Sequence, residues 1–175
     1  MIPTSHAFGA RLGSVLAKMD RLADWEKRDR GPGSMRVDVE PTLDLLERLG
    51  QPQRTFQSMH VAGTKGKGSV CALVEAGLQR AKVRVARFSS PHVERVTKRV
   101  TFGGVEIGEE LLAEALERSW TAHECASLAG SPAMDASWFD VFTAAALWSF
   151  AHAGVEWAVV ECGIGGRLAR TLPSF

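Results

Sequence analysis

The sequence has no excess of either charge. Its 21 Lys and Arg stand against 20 Asp and Glu, a formal net charge of +1. That balance leaves no electrostatic footprint for a nucleic acid or an anionic membrane surface. It has no apolar run long enough to span a bilayer, and its N-terminus lacks the basic-then-apolar order of a secretion signal. It does not read as a transit peptide, because Asp20, Asp24, Glu26 and Asp29 follow early. Cysteine is scarce. Cys71, Cys125 and Cys162 are far apart and odd in number, which suits reduced thiols in a cytoplasmic protein better than a disulfide framework or a zinc site. Internal repeats and low-complexity tracts are absent too. The expectation is a cytoplasmic protein that binds neither nucleic acid nor membrane.

What is there is ordinary for a globular chain: 175 residues, 45% hydrophobic and 23% charged. This length suits one domain with a real core and an N-terminal appendage. Leu12, Val15, Leu16, Met19, Leu22 and Ala23 recur at helical spacing within 8–25. Residues 28–34 are polar and rich in breakers, hence a loop. A short helix is expected over 42–49, closed by Gly50 and followed by Pro52. The spacing predicts a strand over 56–61, a helix over 69–81 and a second strand over 83–88. Alternation over 100–107, broken by Gly103-Gly104, predicts a hairpin. Helices over 109–128 and 138–152 follow, the second rich in Ala and aromatics and therefore buried. Residues 155–162 form a third strand whose continuous apolar run suits a parallel strand covered on both faces. Strand–helix–strand alternation argues for an α/β fold with a parallel sheet.

The strongest chemical signal lies between the first strand and the following helix: Gly63-Thr64-Lys65-Gly66-Lys67-Gly68-Ser69. A phosphate chain needs backbone N–H groups at close range, a helix N-terminus and a cation. The glycines allow that approach, and Lys67 can reach β and γ phosphates. The pattern departs from the common P-loop in two ways. Val61 stands where that loop begins with Gly, and Gly68 follows Lys67 where a magnesium-binding hydroxyl is usual, Ser69 coming one place late. Another group must then supply the metal ligand. Ser89-Ser90-Pro91-His92 follows the second strand, and the carboxyl ends of parallel strands face the ligand crevice. Ser90 is the candidate ligand there, although a turn that merely caps the strand would explain the same residues. Glu161, at the end of the third strand, is the candidate magnesium ligand or water orienter, although taken alone it would read equally well as a solvent-facing strand end. The run Gly163-Ile164-Gly165-Gly166 would again let backbone approach a ligand. His60 lies within the first strand and reads as a packed histidine. His92 could touch a ligand or cap a turn. Trp138 and Phe139, at the start of their helix, could face a flat substrate.

Five segments occur in an order that resembles the folylpolyglutamate/dihydrofolate synthase branch of the Mur ligases. They are His60 to Ser69, Phe88 to His92, Arg99 to Ile107, Trp138 to Thr143 and Val159 to Leu168. The resemblance covers roughly residues 36–168. It implies a P-loop-containing, three-layer central domain with a parallel sheet and flanking helices. Gly63, Thr64, Lys65, Gly66, Lys67, Gly68 and Ser69 would bind ATP, with Ser90 and Glu161 on Mg2+ and Lys67 and Glu161 as the catalytic pair. Asp38 and Val39 would lie at the pteridine site, although Glu40 replaces a glycine of the family there. Ser137, Trp138, Phe139 and Asp140 would lie at the pteroate site. The implied activity is ATP-dependent addition of L-glutamate to a folate or dihydropteroate through an acyl phosphate, by a monomer.

The family continues Gly-Gly-Arg-Leu-Asp-Ala-Thr-Asn, whereas Ala169-Arg170-Thr171-Leu172 follows Leu168 here. The expected organisation is therefore an N-terminal helix and loop over 1–35, the N-terminal part of the ATPase domain over 36–168, and a divergent tail over 169–175. The C-terminal ligase domain would be absent and the fold truncated. Two other readings compete: a nucleotide-binding remnant that catalyses nothing, and another P-loop enzyme such as a small-molecule kinase. A kinase would usually carry a hydroxyl directly after Lys67 and would lack the Glu161 to Arg167 segment.

Overall fold

The structure is a computed structural model, and it describes residues 9–24, 39–91 and 94–162. Ten elements organise it: α1 (Ala10–Met19), α2 (Glu40–Arg48), β1 (Gln57–Val61), α3 (Lys67–Arg80), β2 (Val85–Phe88), β3 (Val100–Phe102), β4 (Val105–Glu106), α4 (Glu109–Ala129), α5 (Trp138–His152) and β5 (Trp157–Glu161). Short 3-10 turns join some of them. Asp38, His92 and the Gly163–Gly166 run lie outside the described residues.

The strands form one sheet in the order β1-β5-β2-β3-β4. β5 inserts between β1 and β2 and pairs parallel with both. β3 runs antiparallel to β2, and β4 antiparallel to β3. The sheet is thus mixed, which corrects the expectation of a parallel one. The cause is local. Gly103 and Gly104 have φ of +54° and +82°, the positive values a two-residue hairpin turn demands. The turn sends the chain straight back along β3 instead of across a helical crossover.

Side-chain alternation along the strands sorts two cores. Ala86, Phe88, Ala158 and Val160 join a large cluster on one face, together with α1, α2, α4 and α5. Val85 and Val159 join Cys71 in a small cluster beneath α3 on the other face. α5 is packed nearly all round, with Val141, Phe142, Ala144, Ala145, Leu147 and Phe150 fully buried. Phe150 takes the edges of Phe56 and Phe102, with ring centroids 5.9 and 5.8 Å away. Such pairs add about 0.5–1.5 kcal/mol each beyond area burial.

α3 begins at Lys67, two residues before the sequence spacing places it. Gly66, at φ +76°, turns the chain directly into the helix. The open N–H groups of the first helical turn therefore belong to Lys67, Gly68 and Ser69. β1 lies at the sheet edge, and Met59, Val70 and Leu73 are exposed nearby on β1 and α3.

Candidate functional site

Among the described residues, the loops after β1 and β2 meet the end of β5 at the carboxyl ends of the parallel strands. The register aligns Val61 with Glu161, and Phe88 with Val160. Glu161 therefore ends the middle strand with the P-loop on one side and Ser89-Ser90 on the other. It is 6% exposed and Ser90 is 7% exposed, so both face a sheltered corner. The Ser90 amide donates to Glu161 Oε2 at 3.3 Å. Lys67 Nζ stands 4.0 Å from Glu161 Oε1. A side chain at Gly68 would come to 3.7 Å from Glu161 Oε2, so glycine keeps open the space between helix terminus and carboxylate. Gly63, Thr64, Lys65 and Gly66 are exposed along the loop.

These groups suit a magnesium–phosphate pair. Ser90 and Glu161 offer hard oxygen donors. Magnesium characteristically takes one or two protein oxygens and completes its shell with substrate phosphates and water. The helix N-terminus and Lys67 supply positive potential where the phosphates would lie. Ser69 is exposed in the first turn of α3. Below the loop, burial and then the Glu161 charge push the Cys71 thiol up to about 11.

The residues expected on the substrate side gather on the opposite face of the sheet. α5 starts there because Ser137 and Asp140 form a capping box. Asp140 Oδ2 accepts from the Ser137 amide at 2.8 Å and hydroxyl at 2.6 Å. Asp140 Oδ1 accepts from the Thr42 hydroxyl at 2.6 Å. That bond docks α2, whose N-cap is Val39, against the start of α5. Trp138 is buried, stacked on Phe142 at 5.0 Å and covered by the Arg99 guanidinium at 4.9 Å. Phe139 is half-buried and packs on Phe88, with centroids 5.8 Å apart. The two groups of candidates are thus separated by the end of β2.

His60 departs from the packed reading. It is exposed, since β1 is an edge strand, and its Nδ1 lies 4.0 Å from Cys162 Sγ. Residues that sequence reasoning missed include Glu75, Arg87 and Thr42. A charged residue inside the apolar strand Val85-Ala86-Arg87-Phe88 was the one visible sign.

Relatives share this arrangement of chain. The dihydrofolate synthase/folylpolyglutamate synthase of Mycobacterium tuberculosis is 34% identical over 165 residues, which is 87% of this chain and 32% of that protein. The chain is related to the folylpolyglutamate and dihydrofolate synthases. It spans about a third of the length of the curated relatives it matches. The solved M. tuberculosis folylpolyglutamate synthase complexed with ADP superposes with a TM-score of 0.76 at 29% identity, covering 92% of this chain and 34% of that one. Escherichia coli FolC, solved with DHPP and ADP, gives a TM-score of 0.75 at 26% identity over 97% of this chain and 37% of its own. No protein-family model matches. The Mur-ligase-like α/β fold expected from the resemblance is therefore the fold observed, with the mixed sheet as its one correction. No helix among the described residues is long and apolar enough to cross a membrane.

Proposed function

We propose that this chain carries the phosphate- and metal-binding part of an ATP-dependent ligase that joins L-glutamate to a folate or dihydropteroate. The observation that carries the reading is the position of Glu161, buried between Lys67 and the Ser90 amide at the ends of three parallel strands. The names of the synthase relatives, and the ADP in two of the solved structures, support it.

On this reading the N–H groups at the start of α3 and the residues Gly63 to Ser69 hold the phosphates of ATP. Ser90 and Glu161 hold magnesium, which when bound neutralises charge on those phosphates. Lys67 stabilises the negative charge of the transferring γ-phosphoryl group. A carboxylate of the pteroate or folate attacks that phosphorus. The bond to the β–γ bridging oxygen breaks, and ADP leaves. The amine of glutamate then attacks the acyl carbon, phosphate departs, and the amine loses a proton. Val39, Ser137, Trp138, Phe139 and Asp140 shape the pteroate side, with Asp38 before them in the chain. The rate gain comes from positioning and charge stabilisation. Residues 36–168 form the ATPase part, flanked by a 1–35 appendage and a 169–175 tail, in a cytoplasmic monomer.

Thermal unfolding of the 175-residue chain with and without Mg·ATP tests the phosphate site. A ligand that binds only the folded form raises the midpoint. A rise that Lys67→Ala abolishes is the expected result. No rise in the unaltered chain overturns the assignment, and release of phosphate dependent on pteroate and glutamate would extend it to turnover.

A further inference from the structure

Arg87 interrupts a strand whose other residues are apolar. Its side chain lies on the α3 side of the sheet, and only 18% of it is exposed. There its Nε donates to Glu75 Oε2 at 2.7 Å. Glu75, in the middle of α3, is 2% exposed. Its other oxygen accepts from the Thr101 hydroxyl at 2.6 Å and the Gly104 amide at 2.9 Å. One carboxylate thus takes donors from β2, from β3 and from the hairpin turn. The guanidinium has a second task, for its Nη1 donates to Ser89 Oγ at 2.6 Å.

Ser89 is held at both ends, because its amide also donates to the Arg99 carbonyl at 2.8 Å. The next residue is Ser90, whose amide meets Glu161. The contacts close a ring. α3 carries Lys67 at its start, 4.0 Å from Glu161, and Glu75 two turns further on. From Glu75 the path runs through Arg87 and Ser89 to Ser90 and back to Glu161. A buried ion pair is a poor way to gain stability, since apolar residues of similar volume often do as well. What the pair does supply is direction. A planar guanidinium with two fixed donors ties the helix that begins the P-loop to the loop that carries Ser90.

We propose that Arg87, held by Glu75, is a positioning residue for the metal: it sets the place of Ser90 relative to the P-loop and so the affinity of magnesium in the nucleotide complex. This rests on the reading of the site given above. Arg87 reaches neither nucleotide nor metal and acts through Ser89.

Isothermal titration of ATP into the full chain, once in EDTA and once with MgCl2, tests it. The quantity read is the ratio of the two affinities. Ser89→Ala removes the link while leaving the buried charges paired. The double variant Arg87→Met with Glu75→Leu removes the pair without leaving a lone buried charge. In both, the magnesium enhancement should fall by about tenfold or more, the scale of losing a partner that orients a metal ligand. The metal-free affinity should move far less. Arg87→Lys, which keeps the charge but loses the fork, should also lose most of the enhancement. A purely structural role would lower the unfolding midpoint and leave the ratio unchanged. An unchanged ratio in Ser89→Ala and in the double variant overturns the inference alone. Failure of the unaltered chain to bind ATP in either condition overturns the reading of the site and this inference with it.

Discussion

The Asp140 carboxylate holds the Thr42 hydroxyl on one oxygen and the N-cap of its own helix on the other. One side chain thereby both starts α5 and fastens α2 against it, across 98 residues of sequence.

Replacing Asp140 by Ala should therefore cost more than a lost cap. A cap alone is worth about 0.5–2 kcal/mol, and the Thr42 hydroxyl would lose its partner as well, adding about 1–3 kcal/mol where that group is buried. Thr42→Val should cost less, because it leaves the capping box in place. Urea unfolding of both single variants and the double variant measures the coupling. A double variant no worse than Asp140→Ala is the expected result, since the two residues share one bond. Strict additivity would show that the bond contributes nothing.

Glu161→Gln keeps the shape of the side chain and removes its charge. ATP affinity in magnesium should then fall to the metal-free value, while the unfolding midpoint without ligand changes little. Titration at fixed ATP and varied MgCl2 reads this directly. Retained magnesium dependence would mean that the carboxylate is not a ligand.

Gly66 and Gly13 should respond in opposite directions to alanine. Both have open space where a Cβ would stand, so backbone conformation alone decides. Gly66 has φ +76°, and alanine there costs about 1–2 kcal/mol. Gly13 lies inside α1, where alanine stabilises by about 0.5–1 kcal/mol. Denaturant midpoints of the two variants check the signs.

Cys71 makes stability depend on alkaline pH. Burial, and then the nearby Glu161 charge, raise its thiol from its ordinary 9.0 to about 11. The unfolded chain then gives up its proton first, so it binds fewer protons than the folded one between those values. Stability should fall as pH rises from about 9 to about 11, and Cys71→Ala should flatten that slope. In the folded protein Cys125, which is exposed, should be alkylated well before Cys71. Mass spectrometry of a timed alkylation distinguishes them.

Much of this fold was legible in the residues because it is local. Apolar spacing marks α1, α4 and α5. Gly103-Gly104 marks the hairpin, since few other residues tolerate positive φ twice in succession. The phosphate loop was legible too, because glycine and lysine between a strand and a helix have few other uses. Its helix starts at Lys67 and not at Ser69, an offset that depends on the φ of Gly66 and that spacing cannot reveal.

The sequence by itself determined which segments are strands and helices, and which residues could serve phosphate and metal chemistry. The tertiary structure decided that β5 enters between β1 and β2, and that insertion is what sets Glu161 between Lys67 and Ser90. It also decided that Arg87 meets Glu75 and Ser89, and that Trp138 lies beneath Arg99. Periodicity records the environment of a residue along its own element. Strand order and the pairing of buried charges follow from packing between segments distant in the chain, which no local pattern carries.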